Sequence, residues 1–280
     1  MNEVNFFPPA QVAQKFCDAG LAKCKLSLKK MFSLAILAGV FIAFGAQLFL
    51  LVSSDSTLGF GFTRFLGGSV FTVGLMMVVV GGAELFTGNN LVLIAALNKR
   101  ITWGELLRSW FFVYIGNFVG SILIAAFLFW GGTWALNGNL AGATALKAAS
   151  SKVSMTFAQA FFRGILCNWL VCMAVWMAMA SKDVIGKLFA IYFPIMAFVA
   201  SGFEHSVANM FFLPYGIFLK SIPKVVEATG KTISDFAALN WGTLFTKNLI
   251  PVTLGNIIGG AIFVGMVYWF VYLKADEAKK

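Results

Sequence analysis

The sequence predicts an all-α polytopic membrane protein, with six transmembrane helices arranged as an inverted 3+3 repeat in which helices two and five are broken. Three observations lead there: 60% of the 280 residues are hydrophobic and only 11% charged, six apolar runs are long enough to cross a bilayer, and polar motifs recur at matching places in the two halves. Soluble domains average about 45–50% apolar and about 25% charged residues, so a soluble globular chain and a disordered one are both excluded. Residues 1–280 read as a single domain, with an N-terminal segment over 1–28 and a tail over 274–280 expected in the cytoplasm.

In chain order, the first 30 residues include Asn2, Glu3, Asn5, Gln11, Gln14 and Asp18. They lack the apolar core of a cleavable signal, so the first membrane run is expected to act as the insertion signal itself. From Pro9 to Cys24, Val12, Phe16 and Leu21 fall near helical spacing, which predicts a short amphipathic helix on the cytoplasmic face, an interfacial anchor more readily than a plug. The candidate crossings are 31–53, 65–97, 105–134, 155–181, 185–219 and 248–273, each meeting the requirement of about 20 apolar residues. Net charge is +10, but the cations sit at the ends of apolar runs rather than in a stripe, which argues against nucleic acid. With an even number of crossings, twelve Lys and Arg fall on the side of the termini and seven on the other, so both termini are placed in the cytoplasm. Cys17, Cys24, Cys167 and Cys172 are too few for a disulfide framework and read as inert thiols.

Two runs are wrong for ordinary helices. Residues 65–97 and 185–219 number 33 and 35, about 50 Å of continuous helix at 1.5 Å per residue, and both carry polar, flexible residues at their middle. The interruptions share Gly-x-Glu-x-x-x-x-Asn: Gly82, Glu84 and Asn89 in one, Gly202, Glu204 and Asn209 in the other. A second pair follows, Gly116-Asn117-x-x-Gly120 and Gly255-Asn256-x-x-Gly259. Each half holds three crossings, an odd number, so the second half enters the membrane from the opposite side. Inverted repeats of this kind place a substrate path near the midplane, at discontinuous helices.

His205, the single histidine, falls in the second break at membrane depth, where an ionisable group is a functional candidate. Its charge can change near neutral pH; the plainer role is a neutral ring bonded to Asn168, Asn256 or a backbone carbonyl. Glu84 and Glu204 are expected to face away from an anion path and to accept backbone N–H groups freed by the breaks, a structural role shared with Asn89 and Asn209. Thr87 offers a hydroxyl donor. Lys152, read as part of the outer loop before the fourth span, either concentrates anions at a pore mouth or is an ordinary solvated lysine. Leu75, Leu85, Phe198 and Val171 flank the breaks, either as apolar constrictions or as packing.

The stretch from Ala200 to Phe211, Ile250 to Gly260, Gly82-Ala83-Glu84-Leu85-Phe86-Thr87 and Arg100-Ile101-Thr102-Trp103-Gly104 resemble the formate/nitrite transporter family over nearly the whole chain. That resemblance implies an aquaporin-like protomer in the cytoplasmic membrane of a prokaryote, assembled as a homopentamer, with a pore in each protomer for small anions such as formate, nitrite or hydrosulfide. Formate channels look nearest. It assigns His205 as the central pore histidine, Thr87 as the threonine of the first break, Lys152 as the outer vestibule lysine, and Asn168 and Asn256 as pore-facing asparagines. Leu85 and Phe198 become the outer constriction, Leu75 and Val171 the inner one. Many formate channels carry Asp where Glu84 stands.

Three rivals remain. A neutral-solute channel of the aquaporin kind would carry an Asn-Pro-Ala pair, which neither break contains. A membrane-embedded enzyme would need more than one histidine without clustered metal ligands, and no cofactor or metal is implied. A cation-coupled symporter would draw on Glu84 and Glu204.

Overall fold

The computed structural model describes residues 5–54 and 57–274; Asn2, Glu3 and positions 275–280 of the expected tail lie outside them. Among the described residues the chain is helical, with one isolated bridge between Phe6 and Ser181. Its elements are α1 (Pro9–Cys24), α2 (Leu28–Ser53), α3 (Phe60–Gly81), α4 (Gly88–Leu97), α5 (Trp103–Trp130), α6 (Leu140–Val153), α7 (Phe157–Ala180), α8 (Val184–Ala200), α9 (Ser206–Leu219), α10 (Pro223–Ala228) and α11 (241–272).

Local chemistry sets the boundaries. Thr102 and Glu105 form a reciprocal capping box that starts α5, and Thr156 with Gln159 does the same for α7, each satisfying two of the amides a helix start leaves unpaired. Gly82 ends α3 in the left-handed region at φ 79°, a conformation that costs glycine little. Gly202 follows α8 at φ 73°. The two long runs are therefore not single helices: 65–97 becomes α3, a non-helical stretch and α4, and 185–219 becomes α8 and α9 with residues 201–205 between them. Five of the described helices are long and apolar enough to cross a membrane. α8 and α9, 17 and 14 residues, stand where one 35-residue crossing is expected from 185–219. α11 widens into π-helical turns over Leu244–Leu249 and Ile258–Met266, beside Pro251, which has no N–H to give; its counterpart α5 is regular.

Glycines let the long helices touch backbone to backbone. A Cβ on Gly120 of α5 would strike the Ile36 carbonyl of α2, and one on Gly259 of α11 would strike the Ile165 carbonyl of α7. Small residues at helix contacts serve this close approach where no aqueous hydrophobic effect drives association. The pairs α2 with α5 and α7 with α11 are thus equivalent, as the recurring Gly-Asn-x-x-Gly motifs require. Large apolar side chains including Phe111, Phe127, Trp130, Phe162 and Phe189 stay exposed on the outside, the reverse of an aqueous surface and the form a lipid-facing one takes.

α1 departs from the expected interfacial anchor. Val12, Phe16, Gly20 and Cys24 line one buried stripe, with Ala13 and Cys17 beside it, and the stripe docks on protein: Phe16 stacks on Trp176 at 5.2 Å between ring centroids, and Gly20 lies against Ala95 of α4. The segment before it is also tied down, by the Phe7 N–H on the Ala180 carbonyl at 2.8 Å.

Candidate functional site

The site is assembled where the two helix breaks meet. Each break frees backbone groups in the interior, and one asparagine satisfies them on each side. Asn117 accepts from the Phe86 N–H at 2.9 Å and donates to the Ala35 and Glu84 carbonyls at 2.8 and 2.9 Å. Asn256 accepts from the Ser206 N–H at 2.9 Å and donates to the Gly164 and Glu204 carbonyls at 2.8 and 2.9 Å. The Glu84 N–H reaches the Leu34 carbonyl and the Glu204 N–H the Arg163 carbonyl, both at 3.2 Å. The inversion predicted from two short motifs thus extends to individual hydrogen bonds.

The carboxylates are not held by freed amides, contrary to expectation. Lys23 donates to Glu84 at 2.8 Å and Asn89 donates to it at 2.7 Å; Lys152 and Asn209 treat Glu204 identically, at 2.8 and 2.7 Å. Asparagine braces already use the nearby backbone, so the buried carboxylates take side-chain donors, and a lysine ion pair offsets the cost of leaving a charge in the interior. Lys152 is not a loop residue: it ends α6, which is the counterpart of α1, and its side chain is 15% exposed against 31% for Lys23. Nor does either glutamate turn away from open space. Glu204 and Lys152 line a cavity of about 630 Å³ on the α6 side, and Glu84 and Lys23 line one of about 200 Å³ on the α1 side.

The halves differ one residue after each glutamate, and again two residues later. Leu85 and Thr87 in the first break correspond to His205 and Val207 in the second. His205 Nε2 and Thr87 Oγ1 are 2.9 Å apart, both buried, and join the two breaks. His205 Nδ1 accepts the Ala208 N–H at 3.0 Å, so the proton of the neutral ring belongs on Nε2, where it donates to Thr87 and leaves the threonine hydroxyl hydrogen free to donate onward. Among the described residues the ring's hydrogen bonds go to Thr87 and the Ala208 N–H, not to Asn168, Asn256 or a backbone carbonyl. The Thr87 carbonyl is fixed from behind by Asn168 Nδ2 at 3.2 Å and Cys172 Sγ at 3.4 Å.

Asn168 and Asn256, expected to face a pore, are fully buried and line neither cavity. Asn168 gives its amide also to Asn90 Oδ1 and the Asn256 carbonyl, so both asparagines act as braces behind the breaks. The apolar residues regroup too. Phe198 lines the α6-side cavity with Phe71, the rings edge to face at 5.8 Å, and stacks on the His205 ring at 5.8 Å. Leu85 lines the α1-side cavity with Leu75 rather than joining Phe198; Val171 lines neither, and Val175, one turn on, takes that place. Three residues escaped sequence reasoning: Phe71, Asn90, and Asn248, whose amide holds the Lys152 carbonyl at 3.1 Å and Glu204 at 3.3 Å. The only sequence signal for Asn248 is its polarity within the sixth apolar run.

A helical bundle with several membrane-length apolar helices, two facing breaks and glycine-packed matching halves defines a multi-pass membrane protein. The sequence pattern of the formate/nitrite transporter family matches residues 10–270, and the chain belongs to that family. It is 39% identical over 279 residues to the formate channel FocA of Escherichia coli strain K12, covering 99% of this chain and 98% of that one. It is 43% identical to a probable formate transporter of Methanothermobacter thermautotrophicus, covering 96% and 98%. Among solved structures, a pentameric formate channel with formate bound superposes with a TM-score of 0.83 at 41% identity, over 88% of this chain and 98% of that chain.

Proposed function

We propose that this protein is a transmembrane channel for small monovalent weak-acid anions, formate first among them, working as a homopentamer in the lipid bilayer with both termini in the cytoplasm. The observation that carries the reading is the His205–Thr87 pair, a lone imidazole and hydroxyl between the Phe71–Phe198 pair on one side and Leu75 with Leu85 on the other. The names of the relatives support formate, and the pentameric state of the formate channel that superposes on this chain supports the pentamer. The lysine count on the two sides supports the orientation, which makes the α6-side cavity the outer one.

An anion entering from the α6 side passes Phe71 and Phe198 and meets the Nε2–H of His205 and the hydroxyl of Thr87, which replace part of its hydration. Apolar surroundings favour a neutral species, so the substrate takes a proton there: imidazolium and anion become neutral imidazole and neutral acid, and the acid crosses the leucines. Protonating Nδ1 requires the Ala208 bond to open, which makes the imidazolium a transient rather than a resident charge. Replacing His205 with Phe is expected to abolish the pH dependence of formate flux in proteoliposomes between pH 5 and 8. Unchanged flux and unchanged pH dependence would overturn the proton role, and competition by nitrite and hydrosulfide in the same assay ranks the substrates.

A further inference from the structure

We infer that the α6-side cavity holds an anion-capture station distinct from the His205–Thr87 pair, built by Arg64 and Arg163 and selective for small carboxylates or other planar oxyanions. The inference rests on the anion-channel reading above and names where the substrate is first bound.

The α6-side cavity is lined by four cations, Arg64, Lys147, Lys152 and Arg163, and by one carboxylate, Glu204. Glu204 already holds Lys152 at 2.8 Å. Among the described residues neither arginine has a carboxylate within ion-pair distance, so the uncompensated charge of the cavity lies with Arg64, Arg163 and Lys147 rather than with Lys152. The α1-side cavity is lined by one cation and one carboxylate, Lys23 and Glu84, already paired.

The two arginines are fixed to opposite edges of the same break. Arg64 donates from Nε to the Ala200 carbonyl at 2.9 Å and from Nη2 to the Val199 carbonyl at 2.6 Å, binding the last carbonyls of α8, and its guanidinium lies over the Phe49 ring at 5.7 Å. These bonds orient the group while using part of its donor fork. Arg163 is anchored through its carbonyl, which takes the Glu204 N–H. Its guanidinium makes one weak contact, to Met155 Sδ at 3.8 Å. Besides burial, the charges of Arg163 and Glu204 act on Arg64 in opposite senses, so Glu204, already paired with Lys152, offsets only part of the repulsion between the arginines. Two like-charged forks facing one cavity are satisfied together by an anion between them, and guanidinium suits the paired oxygens of a carboxylate better than an ammonium does. The pseudo-symmetric position to Arg163 is Leu34, whose carbonyl takes the Glu84 N–H, so the first break has no equivalent of that fork.

The test uses the full chain in proteoliposomes and compares Arg163→Gln, Arg163→Lys and Arg108→Gln, the last removing one charge that lines neither cavity. Arg163→Gln is expected to raise the half-saturating formate concentration from the α6 side about threefold to tenfold at an unchanged maximal rate. Arg163→Lys is expected to recover part of that loss, Arg108→Gln to behave as wild type, and high salt to erase the differences. An unchanged half-saturation in Arg163→Gln, or an equal shift in Arg108→Gln, would overturn the station. Line broadening of 13C-formate on the purified protein separates this outcome from a failure of the channel reading. If wild type passes no formate, broadening that Arg163→Gln weakens still supports the station, and equal broadening in both rejects it.

Discussion

The break between α3 and α4 and the break between α8 and α9 share a set of hydrogen bonds at matching lengths, yet only one carries an imidazole. Asn117 and Asn256, Glu84 and Glu204, Asn89 and Asn209, Lys23 and Lys152 occupy paired places. The residues after each glutamate differ, Leu85-Phe86-Thr87 against His205-Ser206-Val207, and the first and third of these positions supply the imidazole and the hydroxyl. Scaffold and the proposed chemistry are therefore separable: the braces at the breaks are shared, and the proposed function draws on two side chains, one from each half, that meet at 2.9 Å.

The sharpest way to break this comparison is to remove the braces one at a time. Asn117→Ala and Asn256→Ala each strand one backbone N–H and two carbonyls in the interior, and each is expected to destabilise the protein by about 2–4 kcal/mol. Unfolding in detergent measures both losses; a difference much beyond about 1 kcal/mol would show that the halves are alike in geometry but not in energy. A smaller effect tests the chemical difference. Thr87→Val gives the first break the residue of the second and removes the partner of Nε2, and formate flux is expected to fall about tenfold, the equivalent of one hydrogen bond, with Thr87→Ser restoring most of it. A loss confined to stability, with flux per folded channel unchanged, would make Thr87 a packing residue.

The smallest effect concerns α1. Burial pushes the Cys17 and Cys24 thiols from the ordinary 9.0 up to about 11. A thiol ionising later in the folded than in the unfolded chain contributes stability that is complete below pH 9 and is lost as pH rises from 9 to 11. Docking of α1, followed by the maleimide labelling rate of these thiols relative to the denatured chain at the same pH, is therefore expected to stay constant from pH 5 to 8. A relative rate that changed in that range would add a second pH-dependent element to the one proposed for His205.

The fold is legible because its exceptions are written in residue types. Gly and Glu inside an overlong apolar run mark each break, and the matching Gly-x-Glu-x-x-x-x-Asn spacing reveals the inversion. Partners are not legible, since they join elements far apart in sequence: nothing near Glu204 points to Lys152, 52 positions away, or to Asn248. Phe71 is one of 31 phenylalanines, and only packing against Phe198 sets it apart. That Leu85 lines the α1-side cavity and Phe198 the α6-side one is hidden for the same reason. A leucine at a break has to face some apolar surface, and its backbone turn decides which.

His205 lines the larger cavity and is absent from the lining of the smaller one. The ring, itself buried, therefore borders the α6-side cavity and not the α1-side one. With the proton role proposed for His205, acid added on the α6 side of a sealed vesicle is expected to change formate flux more than acid added on the α1 side, and equal responses would reject this asymmetry. On the proposed proton role, a channel made of two similar halves is in this way given a front and a back.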